Sequence, residues 1–311
     1  MHFALKDYGA DISWNVGSLF CHEASFFKML NLCKAFSIPH PVKWVFGSLS
    51  TPMAGGRATP VLLDVDDAKS VLDSYIQEGI ACRLTLSNPY VDRHMIQSDA
   101  INAELMKYLD SNRPDGKRNG IIVVSDILAE YVKETYPNLE VILSIIRPAY
   151  DTGYGKDKDT MDWYADKLQN PLYDVVVVNA AKLYEKGFME SLPYKDKVEL
   201  LACHDCIRNC PYAKTHYEAV LMFSQCLVNG ISPDRANLLL GDIIKTCVKN
   251  KKSHIDQTAS YSIDEIRYLA SLGYRQFKLA GRMNTEERFS RDLEAYLFNH
   301  EVLRYIETAM Q

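Results

Sequence analysis

The feature that most constrains this chain is a repeated alternation of short β-branched or apolar runs with segments of helical period. The runs are residues 2–5, 43–48 (KWVFGS), 82–87 (CRLTLS), 120–125 (GIIVVS), 140–145 (EVILSI), 174–179 (DVVVVN), 198–203 (VELLAC) and 276–281 (QFKLAG). Helical stretches fall over 23–36, 66–78, 100–109, 127–136, 160–168, 181–191, 215–228, 263–272 and 286–308. Asp66, Asp126 and Ser262 stand just before periodic stretches, where a side-chain oxygen satisfies the first helical amides. A run such as VVVV at 175–178 suits a strand covered on both faces. Eight βα units in 311 residues is the size of an α/β protein with a (β/α)8 TIM-type barrel. A doubly wound open sheet is the alternative. No repeat, low-complexity tract or Pro/Gly/Ser-rich linker divides the chain. It reads as one barrel domain over residues 1–311, with a cysteine-rich insertion around 203–255 and a long final helix.

A chain with 47% hydrophobic residues can bury a large core, which excludes a disordered or mini-protein scaffold. No apolar run reaches the roughly 18 residues a membrane helix needs, and MHFALKDYGADISW carries no basic flank leading into an apolar stretch. The expectation is a soluble, unexported, cytoplasmic protein with no membrane span. Its 35 Lys and Arg against 40 Asp and Glu give a net charge of −5, which disfavours coating nucleic acid by bulk attraction and leaves room only for a local basic groove. Small or neutral partners are favoured.

The eight cysteines are Cys21, Cys33, Cys82, Cys203, Cys206, Cys210, Cys226 and Cys247, and five of them crowd the stretch from Cys203 to Cys247. A disulfide framework would spread along a chain of this length, so the crowding points to a metal or redox site. Cys206-x3-Cys210-Pro211 has the spacing that closes an iron–sulfur ligand run, and Cys226 and Cys247 complete a four-thiolate set. Zinc on Cys203, Cys206, Cys210 and His216 is the other reading, and unligated cysteines are the third. Spacing alone does not choose among them. Cys21, Cys33 and Cys82 read as small buried hydrophobes.

Several motifs in order resemble the collagenase-like peptidase U32 family, whose relatives include iron–sulfur proteins of oxygen-independent hydroxylation in ubiquinone synthesis and RNA modification. They are Val45-Phe-Gly-Ser48 followed by Ala54-Gly-Gly-Arg57, then Leu84-Thr-Leu-Ser-Asn-Pro89, and Tyr136-Pro137 leading into Glu140-Val-Ile-Leu-Ser144. The Cys206-x3-Cys210-Pro-Tyr-x3-His216 run and the closing Phe277-Lys-Leu-Ala-Gly-Arg282 complete the series. The resemblance implies a barrel holding a four-iron four-sulfur (4Fe-4S) cluster, with Cys206 and Cys210 matching well and Cys226 and Cys247 by rough position. It also implies redox or hydroxylation chemistry and a protein partner of the same family. Three residues depart from the pattern: Cys203 stands where the family has Asn, Ala213 replaces an Arg, and Ala180 replaces the Arg of an Asn-Arg pair. Cys203 is thereby a substitute ligand candidate.

For substrate, the candidates are Arg57 on its Gly-Gly turn, Asn88 and Asn179 at strand ends, and Lys278 and Arg282 on one face of the last strand. Two cations on one face of a core strand demand an anionic substrate, a cluster or a carboxylate. The bland readings are a tight turn, helix caps and a structural ion pair. Three functions follow: an iron–sulfur redox or hydroxylating enzyme acting on a small molecule or RNA, a peptidase, or a non-catalytic partner subunit with a structural cluster. No Gly-x-Ser-x-Gly elbow, His-Glu-x-x-His pair, P-loop or Gly-x-Gly-x-x-Gly is present.

Overall fold

The computed structural model describes residues 5–55, 61–114, 116–153, 159–203, 206–253, 259–281 and 285–299. Its strands are β1 (Ser13–Val16), β2 (Val42–Gly47), β3 (Ala81–Leu86), β4 (Gly120–Val123), β5 (Glu140–Leu143), β6 (Val175–Val178), β7 (Val198–Cys203) and β8 (Gln276–Leu279). Each pairs in parallel with the next and β8 returns to β1, so the sheet closes into a barrel and the open-sheet alternative falls away. The helices are α1 (Glu23–Ala35), α2 (Val65–Gln77), α3 (Arg93–Ser98), α4 (Ala100–Ser111), α5 (Asp126–Thr135) and α6 (Pro148–Asp151). They continue with α7 (Met161–Gln169), α8 (Phe188–Ser191), α9 (Ala213–Val228), α10 (Pro233–Ser253), α11 (Ile263–Ser271) and α12 (Glu286–Leu297). Among the described residues no helix is long and apolar enough to cross a membrane.

Side chains alternate across each strand, and this period divides the core in two. Outward residues such as Trp14, Val45, Leu84, Ile121, Val141, Val176, Leu200 and Phe277 join the main core under the helices. Inward Phe46, Ile122, Ile142, Val175 and Val177 fill the lumen. The helices meet that outer layer with one stripe each: α2 buries Ala68, Leu72 and Tyr75 at helical spacing, and α11 buries Ile266, Leu269 and Ala270. A fully buried side chain such as Leu72 contributes about 1.5–3 kcal/mol.

Of the run expected at residues 2–5 only Leu5 lies among the described residues, and the strand that opens the described barrel comes after it. It is Ser13–Val16, whose Ser13 and Asn15 are polar and buried because they face the lumen. Leu5 instead makes an isolated antiparallel bridge to Phe298. Caps fall one or two residues earlier than expected at two helices: Asp64 accepts from Asp67 N, and Ser125 from Leu128 N. Ser262 caps α11 as read, in a capping box with Glu265. The stretch 181–191 divides into a 3-10 turn at Ala180–Tyr184 and α8.

Gly47 closes β2 where no larger residue fits, since a Cβ there would come within 1.9 Å of the Leu19 carbonyl oxygen. Backbone cannot swing aside as a side chain can. Gly47→Ala is expected to cost at least the roughly 1–3 kcal/mol of an overpacked core. An unchanged urea midpoint would contradict this packing.

Candidate functional site

Parallel closure puts every strand's C-terminal end on one rim, the end of such barrels that carries chemistry. At that rim the polar strand ends serve local structure first. Asn88 Oδ1 accepts from Tyr90 N at 2.9 Å while its Nδ2 donates to the Pro52 carbonyl at 2.9 Å. Asn179 caps the turn behind it by accepting from Ala181 N, and its Nδ2 stands 3.5 Å from Asp159 Oδ2. Buried Lys182 pairs with the same Asp159 at 2.9 Å and with Glu185 at 2.8 Å, which ties the β6 exit down. Arg147 forks onto Asp126 at 2.7 and 2.9 Å, joining the loops after β4 and β5. Arg57 and Arg282 lie outside the described residues.

Lys278 points inward, as strand alternation predicts, and the group it meets is a carboxylate. Its Nζ stands 3.3 Å from Glu199 Oε1 and 3.9 Å from the Phe46 ring centre. Glu199 is wholly buried, and its Oε2 accepts from Arg83 Nη1 at 2.6 Å and from Asn15 Nδ2 at 2.9 Å. Arg83, equally buried, also reaches Glu140 at 2.9 Å and lies 4.2 Å from the Trp44 ring centre. Burial pushes the Glu199 carboxyl up, but Lys278 and Arg83 outweigh it and hold the group below its ordinary range. Sequence reading missed Arg83 and Glu199. Their signal was a lone charge inside an otherwise apolar run, CRLTLS and VELLAC.

The cysteines divide by the face they occupy. At the end of β7 the register slips between Leu201 and Cys203, a bulge that sets Cys203 beside outward Leu279 instead of following Leu201 inward. Its Sγ stands 3.7 Å from Asp292 Oδ2 on α12. Burial first, and the Asp292 charge second, push this thiol up to about 12. Cys203 thereby packs behind the barrel against α12. It is expected to resist iodoacetamide at pH 8 in the folded protein, read by peptide mass mapping, because only the thiolate attacks. Rapid labelling would contradict the placement.

Cys206 and Cys210 come together on the rim side, in one small apolar cluster with Val124, Ile146, Ile207 and Tyr217. Tyr150 packs against the same cluster with its hydroxyl buried and without a hydrogen-bond partner. From there α9 runs as a chord over the rim. Lys214 Nζ lies 5.3 Å from the Tyr150 ring centre, Glu218 accepts from Tyr90 Oη at 3.1 Å, and Gln225 Nε2 donates to the Pro52 carbonyl at 3.1 Å. These contacts pass the loops after β5, β3 and β2 in turn.

That helix separates Cys226 from the other two. Cys210 lies within a turn of Ala213, whose amide bonds its carbonyl. At about 1.5 Å per residue the 13 steps from Ala213 to Cys226 cover about 20 Å. Two thiolates on one zinc stand at most about 4.6 Å apart, twice the Zn–S bond of about 2.3 Å, and a cubane is only a few ångströms wider. Helix α10 follows after a short turn and packs along α9, so the hairpin brings the backbone of position 247 back level with the start of α9. The Cys247 side chain lies outside the described residues.

No family model matches the chain, and no curated protein does. Among solved structures it is similar to the U32 peptidase Mk0906 at 15% identity with a TM-score of 0.53, over 89% of this chain and 95% of that one. The two chains share a fold. This agrees with the barrel topology over almost the whole length and carries no statement about chemistry.

Among the described residues, no three His, Cys, Asp or Glu side chains converge into a group that could hold a metal ion. Among the described residues, the rim cluster holds two thiols with one hydroxyl beside them lacking a partner. A serine triad is not assembled at His22, where Glu286 stands between the imidazole (2.7 Å) and the Ser25 hydroxyl, the wrong order for a base to take that proton. A cavity of about 700 Å³ lies at the opposite end of β1, lined by Tyr8, Trp14, Pro41, Ile263 and Arg267, away from the rim.

Proposed function

We propose that this chain is an iron–sulfur barrel protein of redox or hydroxylating type acting on a small molecule, with the centre gripped on the rim by Cys206, Cys210 and Cys247. The observation that carries the reading is the meeting of Cys206 and Cys210 in one apolar cluster at the C-terminal end of the barrel. The unpartnered Tyr150 hydroxyl in the same cluster supports it, since a sulfide or thiolate would accept its proton. Thiolates so close repel one another unless a cation compensates them, and soft ligands of this kind suit iron–sulfur or zinc. Cysteine 226 is left out of the set because of its distance along α9.

Bound there, such a cluster would supply one-electron transfer. The chain's own residues do the rest. Val124, Ile146, Ala149 and Ile207 shield the buried Cys210 thiol from water, and α9 roofs the rim so that a compact substrate is admitted more easily than a folded polymer. That roof and the net charge of −5 favour a small molecule over RNA.

The neighbouring structure's name suggests peptide hydrolysis as the competing reading, and two candidate nucleophiles among the described residues are ill placed for it. Cys203 is held protonated, and Ser25 donates to a carboxylate instead of to a histidine. The test is electron paramagnetic resonance of anaerobically purified protein before and after dithionite. A signal gained on reduction supports the cluster. A silent, colourless protein that cleaves a fluorogenic peptide library would replace this reading with the second.

A further inference from the structure

His22 joins the exits of the first and last strands. It stands at the N-cap of α1, in the loop from β1, yet its side chain makes no capping bond to that helix. The imidazole is buried and turns to two other elements. Its Nδ1 stands 2.7 Å from Glu286 Oε1 on the first turn of α12, and its Nε2 stands 3.0 Å from the Gly281 carbonyl oxygen, where the chain leaves β8. The ring stacks on Phe289 of α12, with centres 4.4 Å apart. Gly281 itself takes a φ of 149°, a backbone turn that glycine adopts readily and other residues do not.

Both partners of the ring are acceptors. A carboxylate and a backbone carbonyl offer lone pairs only, and a neutral imidazole carries one N–H, so it satisfies one of them and turns a lone pair on the other. An imidazolium satisfies both. Glu286 is equipped to stay ionised: burial pushes its carboxyl up, but the bonds from Ser25 and His22 outweigh that and hold it below the ordinary range. Glu23, the next residue on α1, also feels the charge of the ring. The Cys21 thiol on the other side donates to the Gly17 carbonyl at 3.5 Å, while Arg288 and Asp292 of α12 act on Cys203.

We infer that His22 is a protonation-dependent clasp, which as an imidazolium donates to Glu286 and to the Gly281 carbonyl at once and as a neutral imidazole releases Gly281. The order of loss follows from acceptor strength. A bond to a carboxylate is roughly twice as strong as one to a neutral group, so Nδ1 keeps its proton on Glu286 and Nε2 gives its own to solvent. The β8 exit is thereby joined to the start of α1 only while the ring is charged, whereas α12 stays joined throughout. The tie is complete at the acid end and is lost as pH rises. It involves neither Cys206 nor Cys210 and stands whether or not a cluster is held there.

The test is NMR of the full chain carrying nitrogen-15 in its histidines and carbon-13 at its glycine carbonyls, titrated from about pH 5 to about pH 8, where imidazoles change charge. Two ring N–H protons on His22 are expected at the acid end and one, on Nδ1, at the alkaline end, with the Gly281 carbonyl shift following the same curve. His22→Gln keeps an amide donor but cannot titrate, and it should flatten the Gly281 curve. One ring proton at every pH, two at every pH, or a Gly281 shift that ignores the ring would overturn the inference. Should His22→Gln fail to fold, the wild-type curves alone decide.

Discussion

Glu199→Leu should destabilise the protein by about 3–5 kcal/mol, the cost of stranding a buried charge after removing its partner. The reason is that Glu199 is the only carboxylate, among the described residues, that both lumen cations contact, with Lys278 on one oxygen and Arg83 on the other. Leucine fills the space but removes the carboxylate that Lys278 and Arg83 share, and leaves Arg83 its contact with Glu140. A double change that also replaces Lys278 with Met should recover part of the loss, because one of the two cations that shared Glu199 then leaves the lumen. Urea titration of the three proteins gives the answer, and a single-variant change within about 0.5 kcal/mol would make the network ornamental.

The same carboxylate sets a pH dependence whose sign is fixed. Glu199 is held below its ordinary value in the folded state, so the unfolded chain binds its proton more readily. Its contribution is fully present above the unfolded-state value of about 4.3 and is lost as pH falls through the folded-state value. Wild-type stability should therefore drop below about pH 4 more steeply than that of Glu199→Gln, measured by urea midpoints across the acid range.

The second large effect is on iron. Cys210→Ser should lose most of its iron and much of its solubility, because Cys210 is buried in the apolar rim cluster and a hydroxyl there neither binds soft metal nor packs as sulfur does. Cys226→Ser and Cys203→Ser should keep it. The first residue sits about 20 Å along α9 from Ala213, and the second is turned outward by the β7 bulge. Loss of iron in Cys226→Ser with retention in Cys210→Ser would reverse the assignment.

Most of the barrel was legible in the sequence, and each failure has a physical reason. Seven strands announced themselves as apolar or β-branched runs because both of their faces are covered. The first, Ser13–Val16, was hidden because half of its residues face a polar floor, where Asn15 serves Glu199. Helix α10 was missed although Ser232, whose Oγ accepts from Arg235 N, and Pro233 in the first turn mark its start. The inward face of Lys278 followed from strand alternation, but its partner on β7 lies far off in sequence and no local pattern pairs them. Cys203 could not be placed from spacing at all, since a one-residue bulge decides which face a strand end presents.

The measurement that bears most directly on the rim assignment is the iron, sulfide and zinc content of the wild-type protein purified without oxygen. About four irons and four sulfides per chain are expected for a four-iron cluster. One tightly held zinc with no sulfide, or no metal at all, would contradict it.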